Sequence, residues 1–263
     1  MGGQGALIVV GCGIQMGRHV SERCVSEIRL ADAVVGLVDA FSARWLADLR
    51  PDFENLGRFY GDDKDRRESY REMQDAVLAP VRAGKRVCAV FYGHPGVFAQ
   101  VPHVAIATAR AEGFEARMEP GISAEACLYA DLGLDPGARG VQSFEATQFL
   151  INRRRIDPSA MLILWQVALA GKLDCIGFEP EPARLRVLVE KLRHWYEPDT
   201  EVILYEAAQL VIEDFRAERL PLRALPDAAF KEYTTLVIEP AAELEADTDI
   251  LKRLELVAGN CAR

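Results

Sequence analysis

Ala6-Leu7-Ile8-Val9-Val10-Gly11-Cys12-Gly13-Ile14-Gln15-Met16-Gly17 passes from an unbroken apolar stretch straight into a glycine-rich turn. A run with no polar alternation reads as a strand buried on both faces. The turn leads into residues 18–30, whose apolar positions suit a helix, and then into a second apolar run over 33–38. Strand, loop, helix, strand is the opening of an α/β domain.

Working outward, the spacing predicts a long helix over 65–83 that stops at Gly84, a residue able to adopt a left-handed cap, with Pro80 bending its last turn. A strand over 86–92, a helix over 101–112 closed by Gly113 and a strand over 115–118 follow. Pro120-Gly121-Ile122-Ser123 reads as a hinge, and Ser123 as the cap of a helix running through Leu132. Further strands are expected at 142–146, 160–166, 201–205 and 234–238, with an amphipathic helix over 184–195. The fold class is therefore α/β, with one α/β domain over 1–120, a second over 121–240, and a tail over 241–263 forming a helix or arm on a partner surface.

Composition narrows the function classes. Half of the 263 residues are hydrophobic, enough for two medium cores. No apolar stretch approaches the ~20 residues that cross a bilayer, and Met1-Gly2-Gly3-Gln4-Gly5 lacks the basic segment of an export signal. Cys12, Cys24, Cys88, Cys127, Cys175 and Cys261 show no C-x-x-C pair, which fits reduced thiols in the cytoplasm. A net charge of −9 gives no general attraction to nucleic acid. The densest basic run, Arg153-Arg154-Arg155, reads as a solvated loop, with a local role towards an acidic peptide as its alternative. His19, His94, His103 and His194 share no metal-ligand spacing with one another or with the cysteines, so no metal site is expected.

Two turns carry candidate chemistry. The first, Gly11-x-Gly13-x-x-x-Gly17, is one residue longer than a dinucleotide fingerprint, although Asp39 stands where a ribose-binding acid belongs; the other reading is a plain tight turn. The second is Tyr92-Gly93-His94-Pro95-Gly96-Val97-Phe98, directly after a buried strand. Its glycines bring backbone close to anything lying over the C-terminal strand edge, where open α/β sheets bind ligands. A structural turn shaped by His94 is the alternative there.

Together with Pro120-Gly121-Ile122-Ser123-Ala124, these turns resemble the tetrapyrrole methylases. That resemblance implies S-adenosylmethionine held in a cleft between two α/β domains, largely by backbone groups, with S-adenosylhomocysteine as the spent product. The positions it points to are Gly13, Ile14, Gly93, His94, Val97, Phe98, Ser123, Ala124, Gln166, Ala207 and Thr235. Gly93-His94-Pro95 replaces the family's usual Gly-Asp-Pro, a departure that speaks against a corrin or porphyrin substrate.

A narrower resemblance rests on Tyr60, Arg66, Tyr70 and Tyr92, with Gln142-Ser143-Phe144-Glu145-Ala146 and Leu164-Trp165-Gln166. It is to the borosin peptide α-N-methyltransferases, in which a Tyr-x5-Arg-x3-Tyr set and a tyrosine before the Gly-His-Pro turn surround the target amide. The chemistry asked of them is demanding, because an amide nitrogen shares its lone pair with the carbonyl. Arg66 and Tyr70, four apart on one helix, share a face, where a guanidinium favours phenolate over phenol. Tyr70 is thus expected as the base, with Tyr60 and Tyr92 donating to the amide oxygen as it gains charge.

The resemblance further implies a homodimer carrying two precursor chains, each with a recognition domain and an apolar core. The tail over 242–263 alternates acids with leucines and holds no such core, so the precursor is expected as a separate peptide. Three competing readings are a tetrapyrrole-precursor methyltransferase, a nicotinamide-dependent oxidoreductase using Asp39, and a peptide-binding scaffold without transfer activity.

Overall fold

A computed structural model describes residues 5–261. Residues 1–4, and the side chain of Cys261, on which the export and thiol expectations partly bear, lie outside the described residues.

The first layer holds β1 (Ala6–Gly11), α1 (Glu22–Leu30), β2 (Ala33–Leu37), α2 (Ala40–Leu49), β3 (Glu54–Asn55), α3 (Arg66–Arg82), β4 (Arg86–Phe91), α4 (Gln100–Ala111) and β5 (Glu115–Glu119). Its strands form a parallel sheet in the order β3-β2-β4-β1-β5. β1 shows why the run could be apolar throughout: Leu7 and Val9 pack against Met73, Val77 and Ala105 of α3 and α4. Ala6, Ile8 and Val10 pack on the opposite face against Cys24, Ile28 and Leu46 of α1 and α2. Both faces of the central strand are covered, as parallel sheets require.

The second half contributes α5 (Ala124–Leu132), the one-turn α6 (Pro136–Arg139), β6 (Val141–Glu145), α7 (Ala146–Ile151), β7 (Met161–Trp165), α8 (Pro182–Leu192), β8 (Glu201–Glu206), β9 (Arg216–Pro221) and β10 (Thr235–Ile238). The sheet order is β6-β7-β10-β8-β9, and only the β6–β7 pair is parallel. Leu164, Leu204 and Leu236 face Leu185 and Leu188 of α8, while Ile163, Tyr205 and Val237 face Leu128 of α5. Helix α9 (Thr248–Cys261) follows, with Ile250, Leu251 and Leu254 exposed.

Several sequence boundaries shift. The helix expected over 18–30 begins only at Glu22, because Ser21 accepts from the Cys24 N–H at 3.1 Å and is the stronger cap. Residues 15–19 instead fold back as a turn, with the His19 N–H donating to the Gln15 carbonyl. Helix α2 was not anticipated; Asp39 caps it, accepting from the Phe41 and Ser42 N–H groups. That occupation removes the acid on which the nicotinamide reading rested. Strand β9, Arg-Ala-Glu-Arg-Leu-Pro, lacks apolar alternation because it is a charged edge strand. The 184–195 helix ends at Leu192, and Trp195 packs on Phe149 at 6.3 Å.

One buried charge pins α1 to the sheet. Glu27, 2% exposed, accepts from Arg23 (2.6 Å), Arg86 (2.5 Å) and Arg117 (2.5 Å). Replacing Glu27 by Leu takes away the carboxylate that the three arginines share, and the loss is expected at the low end, about 3 kcal/mol, because all three keep some solvent and Arg23 and Arg117 keep Glu119 as a partner. Urea unfolding of the Glu27→Leu variant against the parent measures it.

Candidate active site in the cleft

Three loops meet at the C-terminal edge of the first sheet with backbone on backbone. The Gly13 N–H donates to the Gly93 carbonyl at 3.2 Å and the Gly93 N–H to the Gly13 carbonyl at 2.8 Å, an isolated antiparallel bridge that ties the two glycine turns together. A Cβ on Gly11 would stand 2.5 Å from the Gly93 oxygen, and one on Gly121 2.3 Å from the same atom. Gly13 and Gly93 also sit at positive φ, +75° and +65°. No side chain fits this junction, so the loop after β1, the loop after β4 and the entry to α5 are held to one geometry.

The expected cofactor positions surround it. Ile14 and Gln15 donate their N–H groups to Nδ1 of His19, which locks the first turn. In the second turn, Nδ1 of His94 accepts from the Gly96 N–H at 2.9 Å and its carbonyl accepts from the Val97 N–H at 3.1 Å, so His94 shapes the loop. Phe98, at φ +49°, lies 5.4 Å from the Trp165 ring of the second half. The Ser123 hydroxyl caps α5 by accepting from the Ala126 N–H, leaving Ala124 as that helix's first residue.

From the second sheet, Gln166 follows β7 at φ +55°, Ala207 follows β8, and the buried Thr235 opens the antiparallel β10 opposite Tyr205. The three therefore share one sheet edge. Left-handed backbone at a non-glycine residue costs about 1–3 kcal/mol. Among the described residues it occurs only at Phe98, Gln166 and Cys175, and the first two belong to this ring of loops.

The phenols collect beside the same turns. Tyr60 follows a 3-10 turn over Leu56–Phe59. Its ring meets Tyr70 of α3 edge-on at 6.3 Å and Phe178 of the second half edge-on at 5.9 Å. Burial pushes the Tyr60 phenol up, Tyr70 and Tyr92 push it further, and the pull of Arg66 in the other direction is the smallest influence named. Tyr60 therefore keeps its proton and is a donor. Tyr92 is also pushed up, by surrounding protein first and then by Tyr70 and Glu232. It is nevertheless 56% exposed in the open cleft, so water reaches the ring and the shift is smaller than for a sealed phenol. Arg66, first residue of α3, donates from Nη1 to the Gly177 carbonyl at 2.6 Å and lies over the Phe178 ring.

Some contributors were not legible beforehand. Glu206, 4% exposed, takes hydrogen bonds from Thr234 (2.7 Å), Arg216 (2.6 Å) and Lys231 (3.0 Å) beneath the Thr234–Thr235 backbone. Burial alone would raise its carboxyl, but those bonds outweigh burial and hold it below its ordinary range. Phe178 also escaped notice. The available signal was a loop rich in glycine and proline that nevertheless carries Leu173, Ile176 and Phe178. The Arg153–Arg155 run is a loop as expected, with the Arg154 guanidinium over the Phe144 ring. No helix of the described residues is long and apolar enough to cross a membrane.

Comparison with known proteins gives this geometry a family. Residues 6–225 match the model for tetrapyrrole (corrin/porphyrin) methylases. The chain belongs to that family. Among solved structures it resembles a uroporphyrin-III C-methyltransferase of Thermus thermophilus, with a TM-score of 0.65 at 17% identity over 90% of this chain and 93% of the other; at that identity the likeness concerns the fold alone. Sequence relatives are closer. A Gymnopus fusipes protein named as methyltransferase and precursor of the ribosomally synthesised cyclic gymnopeptides is 37% identical over 97% of this chain and 62% of its own length. A Coprinopsis marcescibilis methyltransferase and type I borosin cyclic peptide precursor is 36% identical over 96% and 67%. The chain thus spans about two thirds of the length of the relatives it matches.

Two outcomes are expected. Gly11→Ala should cost about 1–3 kcal/mol by overpacking, whereas Gly61→Ala, which would meet only the flexible Lys64 side chain, should be near neutral in the same thermal melts. The second concerns acid. His19 accepts two N–H groups only while neutral, and its imidazole lies below the ordinary 6.5, by burial first and then by Arg18, with Asp131 opposing. The unfolded chain therefore takes up this proton first as pH falls. The stabilisation is complete above about 6.5 and declines below it, only modestly because the ring is partly open to solvent. Melting curves from about pH 7 to about pH 5 should fall more steeply for the parent than for His19→Asn, which keeps an acceptor that does not titrate.

Proposed function

We propose that this chain methylates backbone amide nitrogens of a ribosomally made precursor peptide, using S-adenosylmethionine. The observation that carries the reading is the gathering of Tyr60, Arg66, Tyr70 and Tyr92 beside the Gly13–Gly93 bridge in a cleft between two α/β halves. Relatives named as cyclic-peptide precursors support the choice of a peptide over a tetrapyrrole.

The residues present fit the cofactor. At the three-glycine junction the loops pack backbone to backbone with no room for a Cβ, so these turns present main chain rather than side chain to the cleft, and Gln166 and Thr235 lie at the facing strand ends of the second sheet. Bound there, S-adenosylmethionine supplies an electrophilic methyl and leaves as S-adenosylhomocysteine.

The protein's own part is to hold the acceptor amide and take its proton. Tyr60, kept protonated by burial, donates to the amide oxygen, and Tyr92, open to the cleft, donates beside it; each such donor is commonly worth ~10²- to 10³-fold. This stabilises imidate character and weakens the N–H bond. Tyr70 is the base of this proposal: entering as phenolate, it would take the amide proton and become a neutral phenol as the nitrogen accepts the methyl group that bound S-adenosylmethionine would supply. The Arg66 guanidinium is not paired with Tyr70 as the sequence spacing suggests: it bonds the Gly177 carbonyl and covers the Phe178 ring, and its charge reaches the cluster at Tyr60. Assembly as a homodimer with two precursor chains belongs to the same proposal, with the exposed Ile250, Leu251 and Leu254 of α9 as apolar surface for a partner.

Incubation with S-adenosylmethionine and synthetic peptides bearing an apolar segment, followed by fragmentation mass spectrometry, should place added methyl groups on main-chain nitrogens. Tyr70→Phe should lower kcat by ~10²- to 10⁴-fold with little change in KM. Methylation of a tetrapyrrole precursor, unaffected by Tyr70→Phe, would replace this reading.

A further inference from the structure

Arg66 does more in this fold than place a charge. As the first residue of α3 its backbone N–H has no partner within the helix, and it donates to the Cys175 carbonyl at 3.1 Å. Its guanidinium donates to the Gly177 carbonyl at 2.6 Å. One residue of the first half therefore grips the same short stretch of the second half twice. Left-handed backbone at Cys175 and Gly177, φ +60° and +66°, accompanies this arrangement of the two carbonyls.

The consequence falls on the next side chain. Phe178 is seated between the Arg66 guanidinium, 5.2 Å from its ring centre, and the Tyr60 ring, 5.9 Å away at 82°. It still leaves 37% of its surface exposed. Segment 171–178 is otherwise held within the second half, where the Gly171 N–H donates to the Thr147 hydroxyl at 3.2 Å and Asp174 pairs with Arg184 at 3.7 Å. Lys172 donates to the Ile176 carbonyl, the Leu173 N–H to the Gly171 carbonyl, and the Ile176 N–H to Asp174. Among the described residues, the two bonds from Arg66 are the segment's only hydrogen bonds to the first half.

We propose that Arg66 is a positioning residue that latches segment 171–178 across the mouth of the tyrosine cluster, and that Phe178, seated by this latch, forms the wall against which the side chain of the methylated residue packs. The second clause rests on the peptide-methylating reading; the latch itself does not. A ring held edge-on beside Tyr60, with bare aromatic surface toward solvent, favours an apolar side chain at the acceptor position and offers no partner to a carboxylate.

Limited trypsin digestion of the full chain tests the latch without any acceptor, read by mass spectrometry at the Lys172–Leu173 bond. Losing a charge-assisted hydrogen bond of this kind releases about 1.5 kcal/mol or more, so Arg66→Ala should be nicked there about tenfold faster or more than the parent at a temperature well below both melting transitions, with the melting temperature lowered by only a few degrees. Phe178→Ala should behave alike, and Arg66→Ala/Phe178→Ala should be little worse than either single variant. Equal nicking in all variants and parent overturns the latch.

Competition between peptides differing only in valine or glycine at the methylated position tests the wall. Phe178→Ala should cut the parent's kcat/KM preference for valine by roughly tenfold, mainly through KM, and Phe178→Leu should restore most of it. Unchanged discrimination in Phe178→Ala overturns the wall. If the parent methylates no peptide, the functional reading and the wall fail together, while the nicking result still decides the latch.

Discussion

Everything in the cleft depends on three loops approaching one another to backbone contact at Gly11, Gly93 and Gly121. The distances leave no space for a Cβ: the carbonyl of Gly93 occupies the place that a side chain on either of the other two would need. A hydrogen-bonded bridge between Gly13 and Gly93 then converts the crowding into order. Because the loops belong to different βα units and to the entry into the second half, this contact also ties the first sheet to the segment that leads into α5.

Function is built on that rigidity. The loop that passes through Gly93 begins with Tyr92, so anything seated on the bridge has a phenol at its side. Helix α3 brings Tyr70 and Arg66 to the same region, and the turn ahead of it brings Tyr60. The second half answers with Trp165 against Phe98, Phe178 against Tyr60, and the Leu210 carbonyl accepting from Gln15 at 3.3 Å. These inter-half contacts are few and local, an arrangement suited to a site that opens for a chain-like acceptor. Buried Glu206, by contrast, is fully partnered and ties the end of β8 to Thr234, Arg216 and Lys231.

The sequence revealed most where burial is two-sided or glycine is obligatory. β1, β4 and β7 are so uniformly apolar that no amphipathic alternative competes, and the turns at Gly13 and Gly93 need backbone that only glycine adopts at no cost. Edge and transition elements were the hidden part. β9 carries charge because its outer edge meets water, and α2 starts at Asp39, whose cap role and ribose-binding role look identical in one dimension. The tyrosines were legible as a spaced set, yet the grip of Arg66 on Cys175 and Gly177 joins residues 111 apart in the second case, which no local pattern encodes. Left-handed Phe98, Gln166 and Cys175 were equally invisible, since nothing in their residue types announces positive φ.

The most direct test is a crystal structure of this chain grown with S-adenosylhomocysteine. The account predicts the nucleoside between the two sheets' strand ends, its polar edges on the Gly13 and Gly93 main chain and its sulfur facing the Tyr60, Tyr70 and Tyr92 rings. A ligand bound outside the cleft, or one whose sulfur is turned away from those rings, would contradict it.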